Sequence, residues 1–519
     1  MRKQTKIAAV VSAAALLALG ASMTSFAASK GTWMMVDGEW YCYDKNGDAY
    51  ENTFCSSNGK EYYVGDDGQL VRSAWVEYDG SYYFVNSSGA KITNDWRLTT
   101  PYEDDSADEE WYYFKSNGKR AENDKVTYKG KTYYFDADGK MLTGWVSYDK
   151  SSVEEANSFD KKKSFYCDET GARVEKAWVY TTEPNVSDDD ADADEYWYYF
   201  KSSGEAQTKK APNVKGQTYI FDNEGRMLSG WVAKATDANA TEEYLEIGFE
   251  NSEEKLGDYK EVYFCGDEDD GHAKKSKWYK TWRPENYDEA DEDEDQYWYW
   301  IQKDGKVYIP SNSNAARGTK YKLEDAAFKS KDSYDITKKN VNNKDYFFNN
   351  NGEMLSQFIR ITTPGSGLSV GTYYFGGADD GSMKTGSQSV KDDNGDTYKF
   401  YFETKSTSNK GVGITGNKSG KLYYNGLLLT ADDYKYQVAD VLGHKFIINS
   451  NGTIQHSSLA YKEDGDILIN ASNKDANGNT VTPASFVTTD GAWKYSYESG
   501  QFDYNADDIS INVNEVIPY

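Results

Sequence analysis

Residues 131–145 read Lys131-Thr132-Tyr133-Tyr134-Phe135-Asp136-Ala137-Asp138-Gly139-Lys140-Met141-Leu142-Thr143-Gly144-Trp145. The phrase returns 86 residues later as Gln217-Thr218-Tyr219-Ile220-Phe221-Asp222-Asn223-Glu224-Gly225-Arg226-Met227-Leu228-Ser229-Gly230-Trp231. At the same shift, Trp111-Tyr112-Tyr113-Phe114-Lys115-Ser116-Asn117-Gly118 returns as Trp197-Tyr198-Tyr199-Phe200-Lys201-Ser202-Ser203-Gly204. Self-similarity at a short period marks a chain of supersecondary units that bury their apolar faces on one another. Outward from this phrase the grammar holds. Trp75 to Tyr78 reads as a strand, Asp79-Gly80 as a two-residue turn, Tyr82 to Val85 as the return strand, and Ser88-Gly89 as the turn to the next unit. Asp-Gly and Asn-Gly suit hairpin turns because both central residues need positive φ. Such pairs recur at Asp37-Gly38, Asn46-Gly47, Asn58-Gly59, Asp67-Gly68, Asn117-Gly118, Asp138-Gly139, Asn351-Gly352 and Asn451-Gly452. Short strands punctuated in this way predict an all-β protein. A lone hairpin is marginal in water. The expected architecture is therefore an elongated solenoid of stacked β-hairpins with a degenerate β-rich C-terminal region. Only Lys322 to Lys331 carries a helical pattern.

The chain has 519 residues, too many for one ordinary core, but a stack escapes that limit because each unit touches only its neighbours. Aromatics make up 15% of it, 45 of them Tyr, and such rings supply the burial that aliphatic residues give elsewhere. With 85 acids against 58 bases the formal charge is −27, which argues against nucleic acid and anionic lipid as partners. Arg2, Lys3 and Lys6, the apolar run Ile7 to Leu19, and Ser25-Phe26-Ala27 read as a secretory signal over residues 1–27. The mature protein is expected to start near Ala28, to carry no transmembrane anchor, and to reside outside the cell, at the surface or wall. Cys167 and Cys265 align with Phe114 or Phe135, and Cys55 aligns with Trp75. The cysteines are thus expected to be small buried hydrophobes, with Cys42–Cys55 the one pairing left open.

Residues 28–309 hold the clear repeats, residues 310–457 divergent ones, and residues 458–519 a β-rich tail or cap. Trp75, Trp145 and Trp231 open three similar blocks. Each block contains an acidic stretch, Pro101 to Glu110, Pro184 to Glu195 or Pro284 to Asp295, read as a long loop inserted in one hairpin. These loops offer the oxygens that calcium takes, yet they share no ligand spacing. Calcium there stays an open reading beside that of a solvated acidic face. Asp44-Lys45-Asn46-Gly47-Asp48 begins like a calcium loop but has its Gly too early, so it reads as a turn. His272, His444 and His456 are the only histidines, and no nucleophile elbow, zinc helix or phosphate loop is present. The repeats leave no large non-repetitive block to form a cleft, so the chain reads as non-enzymatic.

The phrase Gly-Trp-Val, Tyr-Tyr-Phe, Gly, Met-x-Thr-Gly-Trp resembles the cell-wall-binding repeat, the family of choline-binding and glucan-binding repeats of secreted Gram-positive proteins. The resemblance covers roughly residues 31–456. It implies a hairpin solenoid attached non-covalently to cell-wall polymer, such as choline-bearing teichoic acid, or to an extracellular glycan. It also implies cages in which two Trp of one hairpin and a Tyr of the next surround a quaternary ammonium by cation–π attraction. Carried onto this chain, the cage residues are Trp33 and Trp40 with Tyr62 or Tyr63, Trp96 and Trp111 with Tyr133, Trp178 and Trp197 with Tyr219, and Trp282 with Trp298. The last three pairs face each other only if the acidic insertion is a longer hairpin loop. Trp145 and Trp231 lack a second Trp and read as packing. Two other readings remain open. One is a structural or adhesive protein whose rings only pack and whose acidic face meets a partner or calcium. The other is a degenerate wall hydrolase with its activity in the C-terminal tail.

Overall fold

The computed structural model describes residues 31–186, 193–237, 239–248, 255–286, 295–321, 323, 333–405, 407–432, 434–441, 444–455, 460–470 and 510–511. The signal-like segment lies outside these residues, as do all but Leu323 of the helix-like stretch, most of the C-terminal tail, and the middles of the second and third acidic stretches. The chain divides into two units. One comprises Met1–Ala211 with Phe221–Met227, the other Pro212–Ile220 with Leu228–Tyr519.

In the first unit the chain runs as antiparallel hairpins. They pair Thr32–Val36 with Glu39–Tyr43, Thr53–Ser57 with Lys60–Val64, and Ala74–Tyr78 with Ser81–Val85. Then follow Asp95–Thr99 with Glu110–Phe114, Asp124–Tyr128 with Lys131–Phe135, Gly144–Tyr148 with Ser164–Cys167, and Ala177–Thr182 with Glu195–Phe200. The tight turns have the backbone expected of them: Asp79 and Gly80 stand at φ 51° and 63°, Lys129 and Gly130 at 47° and 81°. The first acidic stretch is the loop between the paired strands Asp95–Thr99 and Glu110–Phe114, as the sequence suggested.

A second turn closes the repeats, and in most of them an Asp or Asn builds it. The Asp44 carboxylate accepts from the backbone N–H of Asn46 at 2.7 Å and of Asp48 at 2.9 Å. Asn86 and Asp136 do the same for Ser88 and Ala90, and for Asp138 and Lys140. The Asp44 phrase is therefore a turn whose carboxylate serves its own backbone.

Two links recur between successive hairpins of the first unit. The second residue after the turn glycine donates its backbone N–H to the return strand of the preceding hairpin. Leu70 reaches the Trp40 carbonyl at 2.9 Å, Lys91 that of Glu61 at 2.7 Å, Arg120 that of Tyr82 at 2.8 Å and Met141 that of Trp111 at 3.0 Å. The turn glycine itself sits against the corresponding side chain one repeat back. A Cβ on Gly89 would lie 2.6 Å from Leu70 Cδ1, and one on Gly118 2.8 Å from Lys91 Cδ. Between the hairpins lie rings with no exposure to speak of, among them Tyr112, Phe114, Tyr134, Phe135, Tyr198 and Phe200.

The second unit keeps the hairpin grammar but joins it into wider sheets. Trp231–Lys234 pairs with Glu261–Phe264 and Tyr244–Glu246, and Lys277–Thr281 pairs with Tyr297–Ile301. Beyond these, Ala316–Tyr321, Ser333–Val341, Lys344–Phe348, Met354–Leu355, Phe358–Thr363 and Gly371–Tyr374 form a six-stranded sheet, followed by a five-stranded one. Within the C-terminal tail, Ala460–Glu463 pairs with Asp466–Asn470, and Ser510–Ile511 lies parallel to Tyr436–Val441.

All four cysteines are buried thiols, Cys42 and Cys55 included. Burial pushes the Cys167 thiol up to about 12. The strand register corrects one alignment. Phe54 faces Tyr63 as Trp75 faces Phe84, so Phe54 and not Cys55 occupies the place of Trp75.

The seating of the turn glycine predicts unequal costs within one hairpin. A Cβ on Gly80 meets nothing within 4 Å. Gly80→Ala should therefore cost only the left-handed strain of about 1–2 kcal/mol. Gly89→Ala should add about 1–3 kcal/mol for the collision with buried Leu70. Urea unfolding of the two variants checks this, and equal midpoints would remove the glycine seat as a constraint.

Candidate aromatic cages

The Trp96 hairpin shows how a cage is built. Asn94, at φ 50°, turns the chain into the strand. The register then sets Trp96 opposite Tyr113 and Leu98 opposite Trp111, so these four side chains share one face. The Trp96 and Trp111 rings stand 6.3 Å apart at 85°. From the next hairpin, Tyr133 comes to 4.8 Å from Trp96 at 70°. Phe135 backs Trp96 at 5.7 Å, and Met141, held by its N–H bond to the Trp111 carbonyl, packs into the same cluster. Trp111 remains 43% exposed. The result is two crossed indoles, a phenol and a thioether beside a solvent-exposed edge. Ring faces of this kind attract a cation that has no hydrogen to donate. Nothing in the set is a general acid, base or nucleophile poised for chemistry.

The Trp178 hairpin copies this geometry. Trp178 and Trp197 are 6.3 Å apart at 88°, Phe221 stacks on Trp178 at 5.8 Å, and the Met227 N–H donates to the Trp197 carbonyl at 2.9 Å. Half-exposed Tyr180 lies 5.1 Å from Trp197. Tyr219, the expected third wall, belongs to the second unit, where it bridges to His272 and burial raises its phenol.

In the first hairpin Trp33 and Trp40 share a face, since Trp33 pairs with Cys42 and Met35 with Trp40. The tyrosine that meets Trp33 is Tyr62, at 5.7 Å and 71°. Tyr63 points the other way, into a core with Phe54 and Tyr83. Leu70 holds the place of Met141.

The Trp282 assignment needs correction. Trp278 faces Trp300 and Lys280 faces Trp298, the register of Trp96 with Tyr113 and Leu98 with Trp111. Trp278, not Trp282, is the partner of Trp298. The third wall here is Tyr346, 4.7 Å from Trp278, with Phe348 stacked on Trp278 at 5.8 Å and Met354 in the same cluster. Neither Trp278 nor Tyr346 was among the expected residues. The available signal was Lys344-Asp345-Tyr346-Phe347-Phe348, which matches the Tyr133 phrase, and the 100-residue step from Trp178 to Trp278. The Trp298 indole N–H donates to Asp379 Oδ1 at 2.9 Å, and Lys280 Nζ pairs with the same oxygen at 2.8 Å.

Trp75, Trp145 and Trp231 do a different job. Their indole N–H groups donate to the carbonyls of Thr100, Thr182 and Trp282 at 2.8, 2.9 and 3.0 Å. Each thereby anchors the root of an acidic loop, and Trp282 contributes there through its backbone. Trp145 and Trp231 are buried, as expected of packing residues. Loop residues also fold back: Tyr102 lies 4.8 Å from Tyr82, and Glu183 pairs with Arg226 at 2.5 Å. Among the described residues no group of three or more His, Cys, Asp or Glu is arranged to hold a metal ion. His272 and Lys274 both bond to Asp270, His444 lies on a strand opposite Val441, and His456 is outside the described residues.

The register predicts opposite outcomes for two neighbouring indoles. Trp278→Ala should remove one tetramethylammonium-binding equivalent from the chain, while Trp282→Ala should leave the number unchanged. Equilibrium dialysis reads both, and the reverse result would reinstate Trp282.

Comparison with known proteins bears on these hairpins directly. The choline-binding repeat family matches residues 106–145, which contain Trp111, Tyr133 and Met141. The putative cell wall binding repeat family matches residues 73–91, 192–206 and 339–354. A glucosyltransferase-S of Streptococcus mutans is 31% identical over 198 residues, 38% of this chain and 11% of that protein. A putative endo-beta-N-acetylglucosaminidase of Streptococcus pneumoniae is 31% identical over 99 residues, 18% of this chain and 14% of that one. The chain thus spans a small part of the curated relatives it matches. Among solved structures, CbpJ of Streptococcus pneumoniae aligns over 78% of this chain and 99% of its own at 19% identity, with a TM-score of 0.25. The modular autolysin LytC of the same organism aligns over 75% and 54% at 14% identity, with a TM-score of 0.30. Repeat phrase, hairpin register and family matches converge on one point: the matched hairpins are repeats of the choline-binding and putative cell wall binding type.

Proposed function

We propose that the chain is a non-enzymatic, secreted binding protein that holds cell-wall polymer at the cell surface through quaternary ammonium groups such as choline. The observation that carries this is the Trp96–Trp111–Tyr133 cluster. Its indoles cross at 85° and 6.3 Å, the phenol closes a third side, and Trp111 stays partly open to water. A quaternary ammonium offers no N–H, so it gains little from carboxylates that water already serves, and gains from desolvated ring faces. The Trp178–Trp197 and Trp278–Trp298 hairpins repeat the arrangement in the same register. The strongly negative chain favours an ammonium over an anion in the approach.

The test is retention on a choline-bearing resin and on purified wall, with elution by free choline and, separately, by soluble glucan. Choline elution supports the reading; elution by glucan alone would overturn it in favour of a sugar ligand. Trp111→Ala removes one ring, worth about 0.5–2 kcal/mol, and should weaken its cage about 2- to 30-fold. Trp145→Phe should leave affinity unchanged and lower stability by about 1–3 kcal/mol, because the Thr182 carbonyl loses its donor in a buried place. Equal effects of the two substitutions on binding would show that the indoles only pack.

A further inference from the structure

The second residue after the turn glycine takes one register position in the hairpin that follows each pair of cage rings, bridged to the end of that hairpin's return strand. It is Leu70 for the Trp33 hairpin, Met141 for Trp96, Met227 for Trp178 and Met354 for Trp278. In the Trp75 hairpin it is Arg120. There the register puts Trp75 in the place of Trp96, Tyr82 in that of Trp111, and Tyr112 of the next hairpin in that of Tyr133. This is a complete three-ring cage, with Trp75 and Tyr112 crossed at 4.9 Å and 90°. The Arg120 guanidinium lies within it, 4.3 Å from the Tyr82 ring, 5.4 Å from Trp75 and 5.9 Å from Tyr112. Its side chain is 3% exposed. Glu122 takes Nε at 2.9 Å, while Nη1 is buried with no hydrogen-bond partner among the described residues. The rings are thus the main neighbours of this end of the charge. Lys91 makes a lesser version one hairpin earlier, over Phe54 at 4.8 Å and Tyr83 at 5.3 Å and paired with Glu61.

We infer that Arg120 is a resident cation that fills the Trp75–Tyr82–Tyr112 cage from within and closes it to external ammonium ligands. The side chain at the second position after the turn glycine then decides which aromatic cages of this chain are open. Methionine or leucine lines the space, whereas arginine or lysine occupies it. The inference rests on the proposed reading that the Met-bearing cages take an ammonium group.

Counting bound choline on the full mature chain by equilibrium dialysis tests it. Arg120→Met should bind one equivalent more than the wild type, and adding Trp75→Phe to that variant should lower the affinity of the gained site. In the wild-type background Trp75→Phe should leave both number and affinity unchanged, a measurement that does not require the Arg120 variant to fold. A folded Arg120→Met chain with the wild-type number, or a lost equivalent in wild-type Trp75→Phe, overturns the inference. Should the wild type bind no choline, the earlier reading fails by itself. The resident cation is then judged by melting with tetramethylammonium: a rise confined to Arg120→Met supports it, and its absence overturns it.

Discussion

A backbone hydrogen bond that recurs from hairpin to hairpin sets how the units dock on one another. It runs from the second residue after the turn glycine to the return strand of the preceding hairpin, as from Met141 to the Trp111 carbonyl. Five-residue strands cannot hold a fold alone. Docked this way, each hairpin lends the next a layer of buried rings, and the glycine lets the turn approach closely enough to seat on the side chain one repeat back. The same bond also sets the cage. It fixes the angle at which Tyr133 reaches Trp96, so the contact that closes the stack is the one that assembles three rings from two hairpins.

Two sets of tryptophans share one register position and differ in what their indole N–H does. In the Trp75, Trp145 and Trp231 hairpins it is tied to the carbonyl at the root of an acidic loop. In the Trp96 and Trp178 hairpins the ring meets a second indole instead. The cross-strand partner separates the two sets. Trp145 faces Tyr166 with Ser164 in the second-indole place, whereas Trp178 has Trp197 there.

The hairpins, the turn chemistry, the acidic stretch as an inserted loop, and the Trp96–Trp111–Tyr133 grouping were all legible in the sequence. Each rests on local rules or on a phrase that repeats without gaps. The errors were slips of phase. Placing Cys55 rather than Phe54 opposite the return strand's Tyr63 shifts the strand by one residue and turns the side chain to the other face, and the same phase decides between Tyr62 and Tyr63. Trp282 was chosen over Trp278 because aromatic identity was matched without the turn residue, Ser276 at φ 54°, that starts the strand. The wide sheets of the second unit left little trace, since their strands pair beyond the adjacent hairpin. Nor does Arg120 announce itself: nothing in Lys119-Arg120-Ala121 says that its charge ends among three rings.

The first acidic loop grows from the very strands that carry Trp96 and Trp111, with Thr99 and Glu110 as its last paired residues. Glu103, Asp104, Asp105, Asp108 and Glu109 are all exposed along it. A field of that sign beside an uncharged aromatic mouth sorts a zwitterion by its orientation. On the proposed reading, the positive end of a phosphocholine-like group would be drawn inward and its phosphate end held off, the more firmly so the lower the ionic strength.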